Sequence, residues 1–265
     1  MLRVLVIGAA GRMGQALVRA AAGRTDLRIA GAVGTTGSVL LGRDVGELAG
    51  IGAIGVRLRD DLASVLAECD VALDFSHAAA TAGSLAACCA AGRPLLIGTT
   101  GLSPQVRHEL ERAARHIALL IAPNTSLAVT LLVDLARQAA QTLPEQFDVE
   151  ILEAHHRNKK DAPSGTALAL GHAIAEARGR PLEEVGSSAL GSREGPRKAG
   201  EIGFAVLRGG DAVGEHTVIF AGLGEQLQLT HRATDRSVFA RGALDAAAWL
   251  APRPPGRYHM RDILL

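Results

Sequence analysis

The segment LRVLVIGAAGRMGQALVRAAA, residues 2–22, carries the signal that decides the fold. Leu2 to Ile7 is a short, mainly apolar run with β-branched residues, which is typical of a buried strand. Gly8, Gly11 and Gly14 follow at the spacing G-x-x-G-x-x-G, and a helical pattern continues from there. Strand, glycine turn and helix in this order open a dinucleotide-binding βαβ unit. Because the first glycine stands one residue earlier than in G-x-G-x-x-G, a tight turn without a ligand is the alternative.

The end of the second predicted strand, Ile29 to Val33, bears on the choice of cofactor. An acidic residue about 20 residues after the glycines commonly bonds the ribose 2′-hydroxyl of NADH and would repel the 2′-phosphate of NADPH. The segment Gly34 to Thr36 has no carboxylate and no arginine, although Arg12 or Arg43 could reach that phosphate. The sequence therefore predicts that NADPH and NADH are both accepted, with a slight preference for NADPH.

Strands and helices alternate up to about residue 125, which predicts a parallel sheet. The next apolar runs end at Phe75, Gly98 and Ile121, with an Ala-rich helix and a polar helix between them. In open parallel sheets, the loops at the carboxyl ends of the strands border the ligand crevice. The candidates for lining a nicotinamide are therefore Asp74 to Ser76, Gly98 to Thr100 and Ala122 to Thr125. Each of these loops could equally be an ordinary turn.

The segment EAHHRNKKDAPSGTA, residues 153–167, gathers two imidazoles, three cations and two carboxylates in fifteen positions. Pro163 disfavours helix before it, Ser164 is a suitable N-cap, and a helix is predicted from Thr166 onward. The backbone N–H groups of residues 164–166 should then point into the loop and form an anion seat. Lys159 adds positive charge beside them, as a carboxylate- or phosphate-bearing substrate would require. A solvated basic loop is the alternative interpretation.

The neighbouring imidazoles of His155 and His156 raise the question of a metal site. Adjacent side chains of an extended segment point to opposite faces, so the two rings cannot easily bind one ion. We therefore predict no metal. One imidazole for proton transfer and one for hydrogen bonding to substrate is the more natural use, because histidine titrates near neutral pH. The alternative is one ring packed in the core and one exposed.

The pattern changes after the predicted helix Leu127 to Leu143. Four strand-like segments suggest an antiparallel sheet carrying helices: Phe147 to Ala154, Ile202 to Leu207, Glu215 to Phe220 and Gln226 to His231. The stretch from Pro181 to Gly200 is rich in Gly, Ser, Arg and Pro, and we expect it to be mobile or ordered by substrate. An Ala-rich helix, Ser237 to Leu250, precedes the tail.

Composition excludes several classes of protein. With 28 Lys and Arg against 27 Asp and Glu, the net charge of +1 gives no general reason for binding nucleic acid or an acidic membrane. Aromatic residues make up 3% of the chain, so Ala, Leu and Val must fill the core. Three cysteines without disulfide or zinc spacing, and no apolar run near the ~18 residues of a membrane span, predict a cytoplasmic protein.

Taken together, these motifs resemble the 4-hydroxy-tetrahydrodipicolinate reductase family, also called dihydrodipicolinate reductases, of bacterial lysine and diaminopimelate synthesis. The resemblance runs essentially from end to end and is most specific at residues 153–167. The motifs that carry it are GRMG (11–14), DFS (74–76), GTTG (98–101), APN (122–124), EAHH with DAPSGTA (153–167), SREG (192–195), GEH (214–216) and the ending Y-x-M-x-D.

The resemblance implies a Rossmann-like dinucleotide-binding domain, residues 1–125 and 235–265, and an α+β domain, residues 126–234. The second domain would bind a small dicarboxylate substrate and build a homotetramer through an open mixed sheet. His155 matches the proton donor/acceptor and Lys159 a second proton donor, while His156, Ser164, Gly165 and Thr166 match the substrate carboxylate site. The implied cofactor contacts are Gly8, Ala9, Ala10, Gly11, Arg12, Met13, Gly34, Thr35, Gly98, Thr99, Thr100, Ala122, Pro123, Asn124 and Thr125.

The chain departs from the family pattern at several positions. An acidic residue and Arg often stand where this chain has Gly34 and Thr35, and Phe, Gly and Asn usually stand where it has Thr125, Ala128 and Thr130. The first departure bears on cofactor preference, and the others on nicotinamide packing or the hinge between domains. Two other interpretations stay open: a nicotinamide dehydrogenase for a different small acid, and a redox-sensing or nucleotide-binding regulator that has kept the cofactor fold.

Overall fold

The computed structural model describes residues 1–188 and 195–264 and divides the chain into two compact units. Unit 1 comprises Met1–Ser126 and Ser237–Leu265, and unit 2 comprises Leu127–Arg236. No helix in the described part of the chain is long and apolar enough to cross a membrane.

The helices and strands alternate through most of unit 1 and then give way to longer strands in unit 2. In chain order the strands are β1 Leu2–Ile7, β2 Leu27–Val33, β3 Val71–Asp74, β4 Leu95–Ile97, β5 Ala118–Ile121, β6 Asp148–His155, β7 Gly186–Ser188, β8 Ile202–Arg208, β9 Gly214–Ala221, β10 Gln226–Ala233 and β11 Gly256–Tyr258. The helices are α1 Arg12–Ala21, α2 Val45–Leu48, α3 Leu62–Leu66, α4 Ala78–Ala91, α5 Pro104–Ala113, α6 Leu127–Thr142, α7 Gly165–Ala177, α8 Leu182–Val185 and α9 Ser237–Leu250, followed by a 3-10 turn, Met260–Ile263.

The sheet of unit 1 has the strand order β11-β5-β4-β3-β1-β2, and every neighbouring pair is parallel. Its central strands are mainly apolar, as expected for strands covered on both faces; Leu5, Leu73 and Leu96 are fully buried. The chain moves to one side of β1 for β2 and to the other side for β3. This reversal creates a switch point between β1 and β3, where doubly wound sheets bind their ligands. The predicted Rossmann-like fold is confirmed.

Unit 2 contains a five-stranded sheet of order β10-β9-β6-β8-β7. Strand β9 runs antiparallel to both of its neighbours, whereas β6 is parallel to β8 and β8 is parallel to β7. The purely antiparallel sheet suggested by the strand patterns is therefore wrong, and the mixed sheet implied by the family resemblance is correct. Parallel neighbours need a crossover of a dozen or more residues, and the segment from β6 through α7 to β8 provides one.

One face of this sheet is buried against helices, which fixes where the side chains of β6 point. Burial alternates along the strand, with Val149 and Ile151 in the apolar cluster beneath α6 and α7. Because successive side chains alternate between faces, Glu153 and His155 lie on that same inner face. The carboxylate of Glu153 and the imidazole of His155 therefore both face the helices at the end of β6.

Some elements lay outside the sequence patterns. The strand Gly256–Tyr258 pairs with β5 in the tail, where no strand was predicted. Leu182–Val185 and Gly186–Ser188 are a helix and a strand inside the stretch expected to be mobile or ordered by substrate. The rest of that stretch includes residues 189–194, which lie outside the described residues, as does most of the SREG motif.

Candidate active site

The predicted cofactor contacts gather at one edge of the parallel sheet of unit 1. Gly8, Gly34 and Gly98 each follow directly after a strand, and Ala122 follows β5 in the same way. Because the carboxyl ends of parallel strands share one edge, four separate segments of sequence meet there.

The glycine turn is shaped by close contacts that a side chain would prevent. Gly8 has a φ of +83°, and a Cβ built on it would lie 2.7 Å from the carbonyl oxygen of Phe75. A Cβ on Gly14 would lie 2.3 Å from the carbonyl oxygen of Gly8, so α1 can pack directly against the turn. Gly11 is the N-cap of α1 and has no side-chain cap, which leaves the first turn of the helix open for an anion. These features fit the pyrophosphate of a dinucleotide.

A cavity of about 400 Å³ lies at this edge, beside Phe75 and Gly98. The ring of Phe75 packs so closely over Gly98 that an added Cβ would meet it at 2.0 Å. Beneath them Asp74 is fully buried and accepts hydrogen bonds from the Ser76 N–H at 2.9 Å and from the Thr99 hydroxyl at 3.2 Å. The residues that line the cavity are Met13, Phe75, Ser76, His77, Ala78, Gly98, Thr99 and Thr100.

A larger cavity of about 560 Å³ lies along the outer side of β2 and contains none of the predicted site residues. Arg59 at its rim is occupied, because its guanidinium pairs with Glu68 at 2.9 Å and bonds Ser64 at 2.5 Å. The chemistry therefore points to the smaller cavity, where the glycine turn and the strand-end loops converge.

The remaining predicted cofactor contacts have simple local settings. Gly34 donates its N–H to the Arg59 carbonyl at 2.9 Å, and Thr35 beside it is exposed. The Asn124 side chain accepts the Ser126 N–H at 2.9 Å, which fixes the turn after β5. Thr125, where the family usually has Phe, is buried and donates its hydroxyl to the Phe239 carbonyl of α9 at 2.6 Å.

In unit 2 a buried carboxylate organises the end of β6. Glu153 is 3% exposed and accepts a hydrogen bond from the Nδ1 atom of His155 two residues along the strand. Arg208 on β8 donates to both carboxylate oxygens, at 2.7 and 2.9 Å, and the Ser164 N–H donates to Oε1 at 2.9 Å. The parallel register places Arg208 directly opposite His155. The register of two strands thus joins residues 55 positions apart into one cluster.

Burial alone would raise the pKa of Glu153, but the bonds from Arg208, Ser164 and His155 outweigh it and hold that pKa below its usual range. Glu153 is therefore ionised and can only accept. It follows that His155 donates through an Nδ1–H and keeps Nε2 for other partners. Burial lowers the pKa of His155, and Lys159 and Arg208 act in the same direction, while the Glu153 carboxylate opposes them.

The helix start predicted at Ser164 is confirmed, but one of the three backbone N–H groups expected to bind an anion is already used. The Ser164 hydroxyl caps α7 by accepting the Ala167 N–H at 3.3 Å, and it also bonds His216 Nε2 at 3.0 Å. The Ser164 N–H was expected to be available to an anion, but it donates to Glu153 because the buried carboxylate lies directly behind the turn. The predicted backbone seat therefore loses one of its three donors.

Lys159 and His156 lie on the accessible side of the same loop. The Lys159 ammonium pairs with the exposed carboxylate of Asp161 at 2.8 Å. Backbone bonds fix the loop, because His156 donates its N–H to the Ala212 carbonyl at 2.8 Å and Lys159 donates to the His156 carbonyl at 3.1 Å. An exposed ion pair of this kind is weak, so the ammonium can exchange Asp161 for another anion.

Glu153, His155 and His216 bring three potential metal-binding atoms within 4.8 Å of one another. Both oxygens of Glu153 accept hydrogen bonds from Arg208, and this guanidinium would repel a cation at close range. We therefore assign no metal to the cluster, and its absence stays a prediction.

The parallel sheet with a glycine turn at its switch point, joined to a unit that presents a His–Glu pair beside a capped helix, defines a two-domain nicotinamide-dependent oxidoreductase. Two family models then match nearly the whole chain: dihydrodipicolinate reductase, N-terminus, over residues 2–125, and dihydrodipicolinate reductase, C-terminus, over residues 128–264. The chain belongs to the dihydrodipicolinate reductase family.

Curated relatives agree with these models. The 4-hydroxy-tetrahydrodipicolinate reductase of Alkalilimnicola ehrlichii is 48% identical over 262 residues, covering 99% of this chain and 98% of the relative. That of Acinetobacter baumannii is 47% identical over 262 residues, covering 99% and 96%. Among solved structures, a dipicolinate-bound dihydrodipicolinate reductase from Paenisporosarcina sp. matches with a TM-score of 0.78, 24% identity and coverage of 98% and 97%, a likeness in fold.

Three residues of the cluster were missed as site residues in the sequence. Glu153 was counted only as part of the loop's charge, Arg208 lay just after a predicted strand, and His216 was placed on a strand and in the GEH motif without a role. Glu153 and His155 are two positions apart at the end of a predicted strand, and extending that strand by one residue would have placed them on one face. Arg208 and His216 could not have been found in this way, because strand register brings them to the site.

Proposed function

We propose that this chain reduces 4-hydroxy-tetrahydrodipicolinate, by way of dihydrodipicolinate, to tetrahydrodipicolinate with NAD(P)H, in the diaminopimelate route to lysine. The family membership supports this assignment, and the observation that carries it is the His155–Glu153 pair beside the start of α7. We assign cofactor binding to residues 1–125 with 235–265, and substrate binding and oligomerisation to residues 126–234.

The residues of unit 1 fit a nicotinamide dinucleotide. The turn from Gly8 to Met13 would hold the pyrophosphate, since Gly8 and Gly14 leave space that a Cβ would fill. The loops Gly98 to Thr100 and Ala122 to Thr125 would border the nicotinamide, and Gly34 with Thr35 the adenosine ribose. When bound, the reduced nicotinamide supplies the hydride.

The substrate has two carboxylates on a cyclic unsaturated imine, and the loop of unit 2 offers matching donors. Gly165 and Thr166 open α7, where the helix dipole and backbone N–H groups favour an anion. His156 and Ser164 complete this carboxylate site. Lys159 provides the positive charge for a second anion and is also the second proton donor. Holding both carboxylates fixes the orientation of the ring.

His155 supplies the proton that the ring carbon needs after hydride transfer. Its Nδ1–H is engaged by Glu153, so the transfer takes place at Nε2. In the free protein its pKa is lowered, chiefly by burial. The two substrate carboxylates bring negative charge close to the ring and raise that pKa, so that binding of the substrate itself prepares the imidazolium.

For the cofactor we propose dual use of NADPH and NADH with a slight preference for NADPH. Support comes from the missing carboxylate at residues 34–36 and from the exposed guanidiniums of Arg12 and Arg43. The ratio of kcat/KM for the two cofactors measures this preference, and a thousandfold preference for NADH would refute it.

We also propose a homotetramer built through the outer face of the mixed sheet. Leu152 on β6 and Leu207 on β8 share that face and are 39% and 58% exposed. Apolar side chains in the middle of a sheet face favour burial by another subunit. Light scattering of the purified protein tests the tetramer. The reducing cytoplasm is the proposed location, in keeping with the three free cysteines.

The decisive experiment supplies the condensation product of aspartate semialdehyde and pyruvate and follows the loss of absorbance of the reduced nicotinamide, with each cofactor in turn. We expect turnover with both. Turnover with other small di-acids or amino acids, and none with the imine, would favour a different dehydrogenase. Cofactor binding without any turnover would favour a regulator.

A further inference from the structure

The Glu153 carboxylate has a donor for every position at which a carboxylate accepts. Oε1 accepts the Ser164 N–H at 2.9 Å and Arg208 Nη2 at 2.7 Å, and Oε2 accepts Arg208 Nη1 at 2.9 Å and the Nδ1–H of His155. A carboxylate offers about four such positions. Because all of them are used and the residue is buried, the carboxylate cannot turn toward the substrate and can act only through its neighbours.

Arg208 connects this carboxylate to the loop that carries the other charged groups. Besides Glu153, its Nη2 atom donates to the Asp161 carbonyl at 2.6 Å, and the Asp161 side chain pairs with Lys159 at 2.8 Å. The guanidinium therefore holds β6, β8 and the Lys159 loop in one arrangement. A bidentate pair between Arg208 and Glu153 fixes the orientation of the carboxylate as well as its distance from the guanidinium.

We propose that Glu153, held by Arg208, is the positioning residue that sets the tautomer and orientation of His155 for proton transfer, an inference that rests on the function proposed above. The carboxylate keeps the proton on Nδ1 and leaves Nε2 as the reacting atom. It also stabilises the imidazolium that donates the proton. Arg208 keeps Glu153 from accepting that proton itself.

The charges around His155 show why this carboxylate is needed. Within the described part of the chain, the groups that face the ring are Glu153 on β6, Arg208 on β8, His216 on β9 and Lys159 in the loop. Arg208 and Lys159 disfavour the imidazolium, and His216, with a pKa of about 4, is neutral. Glu153 alone among these four favours it. Without Glu153, burial and two cations would act on the ring unopposed.

The test compares the pH dependence of kcat in the wild type and in Glu153→Gln, with the imine as substrate and NADPH as cofactor. We expect kcat at pH 7 to fall roughly a hundredfold, with KM within about threefold of the wild type. If the imidazolium is the donor, kcat falls as pH rises through its pKa. Removing the carboxylate lowers that pKa, so the alkaline limb should move down by about one pH unit or more.

The matched control is Glu215→Gln. Glu215 pairs with Arg232 at 2.7 and 2.9 Å on neighbouring strands of the same sheet, but the pair is exposed and does not contact His155. We expect this variant to keep the wild-type kcat and pH profile. A purely structural role for Glu153 would lower stability and leave the limb in place, which would overturn the proposal.

Failure of the inference and failure of the proposed function have different signatures. If the wild type does not reduce the imine, the function is wrong. If the wild type turns over and Glu153→Gln keeps both its kcat and its alkaline limb, the positioning role is wrong. Should Glu153→Gln not fold, Glu153→Gln with Arg208→Met removes both buried charges together. That double variant should displace the limb in the same direction but by less, because it also removes the Arg208 charge that disfavours the imidazolium, and an unmoved limb overturns the proposal.

Discussion

The candidate site of unit 1 consists mainly of backbone groups, whereas that of unit 2 consists mainly of charged side chains. Unit 1 uses backbone and the absence of side chains, as at Gly8 and Gly14, where a Cβ would collide with carbonyl groups. Unit 2 uses charged and polar side chains that bond one another, since Glu153 accepts hydrogen bonds from both His155 and Arg208. A backbone site binds any ligand of the right shape and charge, whereas a side-chain site can also move protons. The difference matches a cofactor that brings its own chemistry and a substrate that needs an acid.

Each unit also contains a buried carboxylate, and the two carboxylates differ in the charge of their hydrogen-bond partners. Asp74 is fully buried and accepts from Ser76 and Thr99, which are neutral donors that tie together two loops of the cavity. Glu153 is almost as buried, but its partners include a guanidinium and an imidazole. The first carboxylate shapes a cavity, and the second controls the charge of its neighbour.

The largest effect should come from removing the reacting group of unit 2. For His155→Ala we expect kcat to fall by about a thousandfold, because general acid catalysis contributes roughly 10²- to 10⁴-fold, while the Kd of NADPH stays within about threefold.

Lys159→Ala should reduce kcat and raise the KM of the imine together, since the ammonium also holds a carboxylate. Exposed Lys160→Ala is the control. Wild-type turnover by the double variant of His155 and Lys159 would refute both roles.

The parallel sheet of unit 1, the glycine turn and the loop of residues 153–167 could be predicted from sequence because each rests on local pattern. The pairing of Glu153 with Arg208 could not, since it depends on the register between β6 and β8. The parallel direction of these strands was missed for the same reason: alternation along a strand shows which face is buried and says nothing about its neighbour. The roles of individual residues at both sites stay predictions.

The buried imidazole of His216 predicts a loss of stability in acid. Burial, with the nearby His155, lowers its pKa from 6.5 to about 4, so the folded state holds it neutral where the unfolded chain binds a proton. The stability it contributes is present above pH 6.5 and is lost as pH falls toward 4, by at most about 3 kcal/mol. Urea unfolding between pH 7 and pH 4 should show a smaller decline for His216→Asn than for the wild type. Exposed His116→Asn should decline as the wild type does, and identical slopes for all three proteins would contradict the assignment.

A single methyl group should test the backbone site of unit 1. In Gly14→Ala the added Cβ would lie 2.3 Å from the Gly8 carbonyl oxygen and 2.6 Å from the Ala9 Cα, so α1 must move away from the turn. We expect a loss of roughly 2 kcal/mol in stability and about thirtyfold weaker NADPH binding. Gly23→Ala is the control, because its Cβ would meet nothing within 4 Å. Thermal unfolding and fluorescence titration measure the two effects, and unchanged binding in Gly14→Ala would mean that the turn does not hold the cofactor.

The smallest effect concerns how the backbone site chooses between cofactors. Thr35 is exposed after β2, so a carboxylate can be placed there without steric cost. Thr35→Asp should lower the kcat/KM for NADPH relative to NADH by about tenfold, since the new charge repels the 2′-phosphate and can bond the 2′-hydroxyl. Thr35→Asn has nearly the same shape without the charge and should leave the ratio within about twofold. If Thr35→Asn changes the NADPH-to-NADH ratio as much as Thr35→Asp does, side-chain shape and not charge determines cofactor preference. The contrast between an uncharged backbone site and a charged side-chain site would then not explain the preference at this position.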